Sequence, residues 1–332
     1  MINQSGSEVR YILQRVNDTI FKDVPGLMQN IARVTEHSVR KLTELGESDV
    51  SRKSLRLVKT IRDEDYLFFE NSTYWRCYFF IENAKTYDVI DDPKKALEAA
   101  RSFGEFQKTL ADILGKRLNE TIPNFHNTRD RFNKLIAAVE KDSAGRASSV
   151  QAEIQFFKDR EKYVDVVIDK LKDGSLPERV THNDTKLNNV MLDDESMEAV
   201  CVIDLDTLMP GSSLYDFGDM IRTATNAGLE DEKDLSKVFM QMPVFEALVN
   251  GFLGAVGETL TDEERSLLAF SGKLITMETG MRFLTDCLEG DVYFKTKYPE
   301  HNLDRCRTQV KLVQSIEENE DVMNDFVAKF DK

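Results

Sequence analysis

The hydrophobic pattern divides the chain into a short β-rich beginning and a long helical remainder. Residues 9–15 alternate between apolar and polar side chains, which favours a strand. Within Pro25–Leu45 the apolar residues recur at helical spacing, and Gly46 follows directly, so this segment is predicted to be a helix. Two further β-rich runs, at residues 66–70 and 74–80, lie close enough in sequence to form a hairpin.

After residue 82 helical spacing dominates, and strand signals are confined to residues 180–206. The predicted helices occupy residues 93–114, 129–142, 149–172, 231–257, 262–286 and 303–330. The pattern therefore predicts a small β-rich part at residues 1–82, followed by a large helical part at residues 83–332.

The net charge of the chain limits the kinds of binding partner that can be expected. The chain has 332 residues, with 44 basic and 59 acidic side chains and a formal net charge of −15. Nucleic acids and anionic membranes would be repelled by such a surface, so neither is expected as a partner. No window has the length and apolarity of a membrane span, and the first ten residues do not resemble a signal peptide.

The cysteines indicate a reducing compartment. They are widely separated, form no CxxC pair, and sit among apolar or helical residues, at Cys77, Cys201, Cys287 and Cys306. Buried free thiols are therefore expected, as in a soluble cytoplasmic protein.

Residues 181–206, THNDTKLNNVMLDDESMEAVCVIDLD, carry the main functional signal. Asp184 follows His182 by two residues, Asn189 follows five residues later, and the apolar run 200–203 leads into Asp204. Phosphoryl transfer from ATP needs a carboxylate that accepts the proton of the attacking hydroxyl, and oxygen ligands that hold Mg²⁺. This order of residues predicts Asp184 as the base, with Asn189 and Asp204 as the metal ligands. Taken singly, the same residues are also ordinary turn residues that hydrogen-bond their own backbone.

The chain resembles the aminoglycoside phosphotransferase and choline kinase superfamily, and within it the bacterial N-acetylhexosamine 1-kinases. Asn183 stands where the wider superfamily usually has glycine, which favours the hexosamine kinase branch. The similar blocks are RYILQRVN (10–17), WRCYFFIE (75–82), ETIPNFHNT (120–128), THNDTKLNNVMLD (181–193), VIDLDTLMPGSSLYDFGDMIR (202–222) and MRFLTDCLEGDVYFK (281–295).

This resemblance implies an α+β, protein-kinase-like two-lobe fold. The small β-rich lobe, residues 1–82, would bind the nucleotide, and the large, mainly helical lobe, residues 83–332, would carry the catalytic loop and the sugar site. ATP would be the co-substrate and Mg²⁺ the cofactor. The segment 78–83 would be the hinge that faces the adenine. The implied nucleotide-binding residues are Arg15, Tyr78, Phe80 and Lys186, although Arg15 is equally well explained as a surface charge on an edge strand.

One part of the family pattern is not found at the N-terminus. Relatives cover the ATP phosphates with a glycine-containing loop between their first two strands, whereas the first seventy residues here contain only Gly6, Gly26 and Gly46. MINQSGSEVR can hold at most the end of the second strand and the turn to the third. The small lobe is therefore expected to be N-terminally truncated. A misassigned start, a fragment, and a protein that lacks the loop all remain open.

Further residues receive roles by position or by resemblance. His182 is expected to hold the catalytic loop by hydrogen bonds, and Asp216 to be structural. Asp206 lies two residues beyond Asp204; in an extended strand both point the same way, so Asp206 could assist the metal or the sugar. Arg282 and Tyr293 would contact the sugar, the alternatives being a helix-surface salt bridge and a core tyrosine. Trp75, Arg76 and His126 recur in the similar blocks without an assigned role.

The leading hypothesis is a kinase that transfers the γ-phosphoryl group of ATP to the anomeric hydroxyl of N-acetylglucosamine or N-acetylgalactosamine. Its partners would be the small-molecule sugar and ATP; the oligomeric state stays open. One alternative is a kinase for another small alcohol, such as an aminoglycoside, choline or a different sugar. The other is a truncated kinase fold that binds a sugar or a nucleotide without turnover.

Overall fold

The computed structural model describes residues 2–4, 7–69, 72–90 and 92–330. It is a mixed α+β fold in which helices dominate, as predicted. By internal contacts the chain forms two compact units: residues 1–123, 179–211 and 251–256 make the first, and residues 124–178, 212–250 and 257–332 make the second. The division into lobes after residue 82 stays a prediction.

All strands in the described part of the chain belong to the first unit. They are β1 (Ile2–Gln4), β2 (Ser7–Val9), β3 (Tyr11–Arg15), β4 (Leu67–Phe69), β5 (Thr73–Phe79), β6 (Ala84–Lys85), β7 (Arg179–Thr181), β8 (Val190–Asp193), β9 (Ala199–Val202) and β10 (Met209–Gly211).

None of the helices in the described ranges combines the length and apolarity of a membrane span. They are α1 (Val24–Glu44), α2 (Val50–Lys53), α3 (Pro93–Leu110), α4 (Thr128–Lys141), α5 (Gln151–Lys158), α6 (Val166–Asp173), α7 (Ser213–Ala224), α8 (Met242–Val256), α9 (Asp262–Ser266), α10 (Leu268–Glu289) and α11 (His301–Lys329).

The strands form small antiparallel sheets in the orders β3-β5-β4, β6-β8-β9, β1-β2 and β7-β10. In the first of these, Ile12 lies opposite Tyr78 and Gln14 lies opposite Arg76. Gly6, and Glu70 and Asn71 of the predicted hairpin, lie outside the described residues.

Helix α1 confirms the helix that was predicted for residues 25–45. The Asp23 carboxylate accepts a hydrogen bond from the Gly26 N–H at 3.0 Å, which satisfies one of the unpaired donors at the helix start. Leu27, Ile31 and Val34 are fully buried along one face. Burial of such an apolar stripe, rather than helix propensity alone, stabilises the helix.

The single helix predicted at 149–172 is wrong, because the chain bends between α5 and α6. The Arg160 guanidinium donates a hydrogen bond to Phe156 O at 3.1 Å and so caps the end of α5. It also pairs with Glu317 of α11 at 2.7 and 3.0 Å. A partner so distant in sequence leaves no local signal, which is why periodicity joined the two helices.

The helix predicted at 231–257 begins only at Met242. Upstream, backbone bonds run across a loop instead: Ala227 N donates to Phe239 O at 3.1 Å, and Gln241 N donates to Thr225 O at 2.9 Å. Pro243 suits the first turn of a helix, where its missing N–H costs nothing. A smaller correction applies at 262–286, where Leu267 separates α9 from α10.

The cysteines of the structure are free, as expected. Cys201, Cys287 and Cys306 are buried, while Cys77 on β5 is only half-buried. Burial raises the pKa of the Cys201 thiol to about 12, so this side chain stays protonated at neutral pH.

In the second unit, α10 packs against α4, α7 and α11. Helices α7 and α10 approach each other closely at Gly218. A Cβ added there would lie 2.4 Å from Ser271 O and 2.7 Å from a side-chain carbon of Ile275. Two helices can come this close only where a side chain is absent.

Replacing Gly218 with alanine should therefore destabilise the protein by about 1–3 kcal/mol, because the new methyl group meets backbone that cannot give way. Gly254 on α8 is the matched control, since a Cβ there meets nothing within 4 Å. Gly254→Ala should stabilise the protein by roughly 0.5–1 kcal/mol, because alanine loses less backbone entropy on folding than glycine does. Urea unfolding measures both; equal stability of Gly218→Ala and the unaltered protein would contradict the proposed close approach.

Candidate active site

Two loop segments of the first unit are fastened side by side. Strands β7 and β10 pair with Thr181 opposite Met209, so the residues after β7 run beside those before β10. The Thr207 hydroxyl donates to His182 O at 2.6 Å, and the Asn183 amide donates to Thr207 O at 2.8 Å. These bonds fix the segment that carries Asp184 against the segment that carries Asp204.

The His182 ring is held by the loop itself. Its Nε2 lies 2.9 Å from Ile203 O, and its Nδ1 lies 3.3 Å from the backbone N of Asp184. The neutral ring protonated on Nε2 satisfies both contacts, with the N–H donating to the carbonyl and Nδ1 accepting from the amide. The ring also meets Phe103 edge-on at 5.3 Å. This geometry suits a positioning role for His182.

Asn183 occupies the left-handed region of the backbone, with φ at +65°. Glycine adopts this conformation without strain, and asparagine more readily than most other residues. The local geometry thus accounts for glycine or asparagine at this position.

Asp184 and Asn189 are bonded to each other across the loop. The Asn189 Nδ2 donates to Asp184 O at 2.8 Å and to Asp184 Oδ2 at 3.0 Å. Oδ1 of Asn189 takes no hydrogen bond from the described residues and is left for a cation. The Lys186 ammonium lies 3.0 Å from Asp184 Oδ2.

Asp204 lies two residues beyond the end of β9 and has an unusual backbone conformation, so one expectation from the sequence is wrong. Its φ is +59°, and Leu205–Thr207 then form a single 3₁₀ turn. The assumption of an extended strand through Asp206 is wrong, so the alternation of side chains does not apply to this pair. Asp206 instead forms an ion pair with Arg76 of β5. Leu205 is buried, as expected.

The electrostatics separate the two acids. Burial, and then repulsion from Asp206 and Asp184, raise the pKa of Asp204 above its ordinary value. Burial also acts to raise the pKa of Asp184, but attraction to Lys186 and the hydrogen bonds from Lys186 and Asn189 outweigh it, and the pKa is lowered. Asp184 is therefore ionised, as a proton acceptor must be, whereas the ionised form of Asp204 would be stabilised by a cation.

The donor set fits a hard metal ion that is shared with a ligand. No group of three or more His, Cys, Asp or Glu side chains in the described ranges is placed to hold a metal. Mg²⁺ does not need one, because it binds through one or two protein oxygens and completes its shell with phosphate oxygens and water. Asn189 Oδ1 and the Asp204 carboxylate are oxygens of this chemical kind, and their role as metal ligands stays a prediction.

Three of the four predicted nucleotide-binding residues lie on the β3-β5-β4 sheet or just after it, namely Arg15, Tyr78 and Phe80, whereas Lys186 lies beside Asp184. Tyr78 is buried, and burial raises the pKa of its phenol. The Phe80 N–H donates to Arg10 O at 3.0 Å, and the Arg10 guanidinium lies 3.9 Å above the Phe80 ring. Arg15 is on the opposite face of β3 from Gln14, 58% exposed, and 4.0 Å from Asp18. The structure therefore does not bring Arg15 to Asp204.

The sequence analysis left Arg76 without a role, yet it reaches the site. Its Nε donates to Gln14 Oε1 at 3.1 Å, and its Nη1 pairs with Asp206. Its side chain is only 6% exposed. One feature of the sequence could have indicated this role. Arg76 occupies an inward-facing position of a strand whose other residues are mostly apolar or aromatic.

In the second unit, Arg282 and Tyr293 are neighbours, and their contact with a sugar stays a prediction. The Arg282 guanidinium lies 5.6 Å from the Phe125 ring and 5.5 Å from the Phe294 ring. Burial, and then repulsion from Arg131, lower its pKa, and the Tyr293 hydroxyl acts in the opposite direction. The Tyr293 side chain is 64% exposed.

Asp286 builds the turn that carries Tyr293. Its Oδ1 accepts hydrogen bonds from the backbone N–H groups of Val292 and Tyr293 at 2.9 and 2.7 Å. Its Oδ2 accepts from Phe294 N and from the Asn302 amide at 2.9 and 2.8 Å. One buried carboxylate thus fixes three consecutive backbone amides.

Two further predicted or flagged residues are buried in the same unit. Asp216 is fully buried in the first turn of α7, where a negative charge favours the helix dipole. The His126 Nδ1–H donates to Glu278 Oε1 at 2.9 Å, and Nε2 of the ring has no hydrogen-bond partner among the described residues. The Thr128 hydroxyl donates to the other Glu278 oxygen at 2.7 Å. The Glu278 carboxylate is thereby occupied.

A separate cavity of about 740 Å³ lies in the first unit between α1, α3 and β9. Its floor includes Val202 and Leu205, whereas none of the predicted site residues lines it. The size of a cavity therefore does not by itself locate the candidate active site in this protein.

The segment that carries these residues matches a known family. The model of the phosphotransferase enzyme family matches residues 57–237, which is more than half of the chain and includes Asp184, Asn189 and Asp204.

Solved structures show the same fold at low sequence identity. An aminoglycoside phosphotransferase from Alicyclobacillus acidocaldarius has a TM-score of 0.63 and 12% identity, covering 97% of this chain and 88% of its own. An ethanolamine kinase from Plasmodium vivax has a TM-score of 0.53 and 16% identity, covering 90% and 75%. An amicoumacin kinase, solved with AMP-PNP and Ca²⁺, has a TM-score of 0.55 and 12% identity, covering 93% and 82%.

The left-handed backbone at Asn183 predicts an order of stability. Asn183→Gly keeps this conformation accessible but loses the bond to Thr207 O. Asn183→Ala loses the bond and also places a Cβ in the strained region, so it should be less stable than Asn183→Gly by about 1 kcal/mol. Urea denaturation of both variants measures this difference. If alanine is tolerated as well as glycine, the positive φ does not constrain this loop.

Proposed function

The chain belongs to the phosphotransferase enzyme family, and we propose that it transfers the γ-phosphoryl group of ATP to the anomeric hydroxyl of N-acetylglucosamine or N-acetylgalactosamine. The observation that carries the proposal is an ionised Asp184, held by Asn189 and Lys186 within electrostatic reach of Asp204. The choice of sugar rests on the resemblance of residues 281–295 to hexosamine 1-kinases.

Asp184 would act on the acceptor. The sugar hydroxyl donates a hydrogen bond to the Asp184 carboxylate, which orients the hydroxyl oxygen and accepts its proton as attack proceeds. The new bond joins that oxygen to the γ-phosphorus. The bond between the γ-phosphorus and the bridging oxygen breaks, and ADP leaves with the electron pair. The Lys186 ammonium, already 3.0 Å from Asp184, is placed to meet the negative charge of the transferred group.

The metal role falls to Asn189 and Asp204. A bound Mg²⁺ would neutralise charge on the ATP phosphates. Asp206 and Asp184 both repel the ionised form of Asp204. A cation bound at Asp204 would offset this repulsion. A protein that kept these acids together without binding a cation would bear that repulsion for no gain.

The second unit favours a neutral acceptor over a cationic one. Arg282 and Arg131 lie close enough for their charges to repel, and an added ammonium group would increase that repulsion. Glu278, the buried acid of this cluster, is already engaged by His126 and Thr128. An arginine framed by aromatic rings is chemically suited to hydroxyl and acetamido oxygens and to the apolar face of a pyranose.

We place the reaction in the cytoplasm, since ATP is the donor and the four cysteines are free.

The direct test is a panel of acceptors. ADP release with Mg²⁺ and ATP would be measured for N-acetylglucosamine, N-acetylgalactosamine, glucose, galactose, choline, ethanolamine and an aminoglycoside. The proposal expects the highest kcat/KM for the two N-acetylhexosamines. If an amine is the best acceptor, the sugar assignment fails and a different small-alcohol kinase is indicated. If the sugars bind without turnover, the protein is a binding protein.

Replacing Asp184 with asparagine keeps the shape of the side chain but removes the proton acceptor. Turnover should fall by about 10²–10⁴-fold, while sugar affinity measured by calorimetry stays largely intact. Asp194→Asn, a change of the same kind at an exposed residue of the first unit, is the control and should keep its activity. Near-full activity of Asp184→Asn would show that another group orients the hydroxyl.

Replacing Asp204 with alanine removes a charged metal ligand. Calorimetry with AMP-PNP should show that Mg²⁺ strengthens nucleotide binding in the unaltered protein and no longer does so in this variant. An unchanged Mg²⁺ dependence would remove Asp204 from the metal role.

A further inference from the structure

The guanidinium of Arg76 is buried beside the candidate metal site with donors to spare. A guanidinium has five N–H groups. One goes from Nε to Gln14, one goes from Nη1 to Asp206, and Nη2 has no hydrogen-bond partner among the described residues. These remaining donors are available to a ligand that enters the site.

The direction of the side chain is fixed by the sheet. Gln14 and Arg76 are directly opposite each other on β3 and β5, so both point to the same face. Asp206 lies on that face and is itself anchored, since its carbonyl accepts a hydrogen bond from the Thr121 hydroxyl at 3.2 Å. Arg76 is thus held from two sides, and its position does not depend on a flexible loop.

The charges of Asp204 and Asp206 both act on Arg76. The acids of this site are Asp184, Asp204 and Asp206, and the cations near them are Lys186 and Arg76. Lys186 pairs with Asp184 on the acceptor side of the proposed chemistry. Arg76 approaches from the β3-β5-β4 sheet, the side assigned to the nucleotide.

We propose that Arg76 binds the phosphates of the nucleotide, with Gln14 and Asp206 as the residues that position it. The proposal rests on the proposed function, in that ATP is the phosphoryl donor. Arginine matches this task because its planar fork donates two parallel hydrogen bonds to phosphate oxygens. With this assignment the phosphate-binding cation is Arg76 on β5, and not Arg15 on β3.

The test compares a ligand that has phosphates with one that lacks them. Mg²⁺–AMP-PNP is titrated by calorimetry and adenosine by ligand-observed NMR, in the full chain. Arg76→Met should weaken Mg²⁺–AMP-PNP binding about 10- to 100-fold, the value of one or two charged hydrogen bonds, and leave adenosine binding unchanged. Unchanged adenosine binding also shows that the variant is folded. Arg62→Met, in an exposed turn, controls for the loss of one positive charge.

Two more variants separate phosphate binding from simple neutralisation of Asp206. Arg76→Lys keeps the charge but loses the fork, so it should fall between the unaltered protein and Arg76→Met. Gln14→Lys combined with Arg76→Met returns a cation to the same face from the opposite strand, and should recover part of the lost affinity. In turnover, KM for ATP should rise while KM for the acceptor stays constant.

The outcomes are distinguishable. If the unaltered protein does not bind Mg²⁺–AMP-PNP, the proposed function and this inference both fail. If it binds and Arg76→Met binds equally well, or Arg15→Met loses affinity in its place, the inference fails and the function stands. If Arg76→Met weakens adenosine and Mg²⁺–AMP-PNP to the same degree, Arg76 is only a structural partner of Asp206.

Discussion

The site depends on the hydrogen bonds that fasten the segment after β7 to the segment before β10. His182, Asn183 and Thr207 link the two through one ring, one amide and one hydroxyl. Asp184 lies on one of these segments and Asp204 on the other, so the hydrogen bonds between the segments bring the two acids close together. Both Asn183 and Asp204 adopt positive φ, so the backbone holds a local conformation that only the surrounding bonds make stable.

Placing these acids together sets up the charge balance of the site. Attraction to Lys186 keeps Asp184 ionised, whereas burial and like charge act against ionisation of Asp204. One acid is ready to accept a proton, and the other is stabilised when a cation arrives. Arg76 adds a fixed positive charge from the sheet. A centre that must hold a highly charged nucleotide gains from having these groups in place in advance of the ligand.

Local patterns predicted much of this. Period-two and helical spacing located β3, β5, α1 and α11. The order of His182, Asp184, Asn189 and Asp204 picked out side chains of one hydrogen-bonded loop region, and their catalytic role stays a proposal. Several of the failures share one cause, which is that the deciding partner lies far away in sequence. Arg160 ends α5 by pairing with a residue 157 positions later, and Arg76 meets an acid 130 positions later. The left-handed turn at Asp204 likewise followed from bonds to a different segment, so alternation could not place Asp206.

The most direct test of this account is the phosphorus NMR spectrum of a reaction containing ATP, Mg²⁺ and an N-acetylhexosamine. The account predicts loss of the γ-phosphate signal, formation of ADP, and a new phosphomonoester resonance coupled to the anomeric proton of the sugar. A phosphomonoester coupled to the protons at C6, or release of inorganic phosphate alone, would contradict transfer to the anomeric hydroxyl.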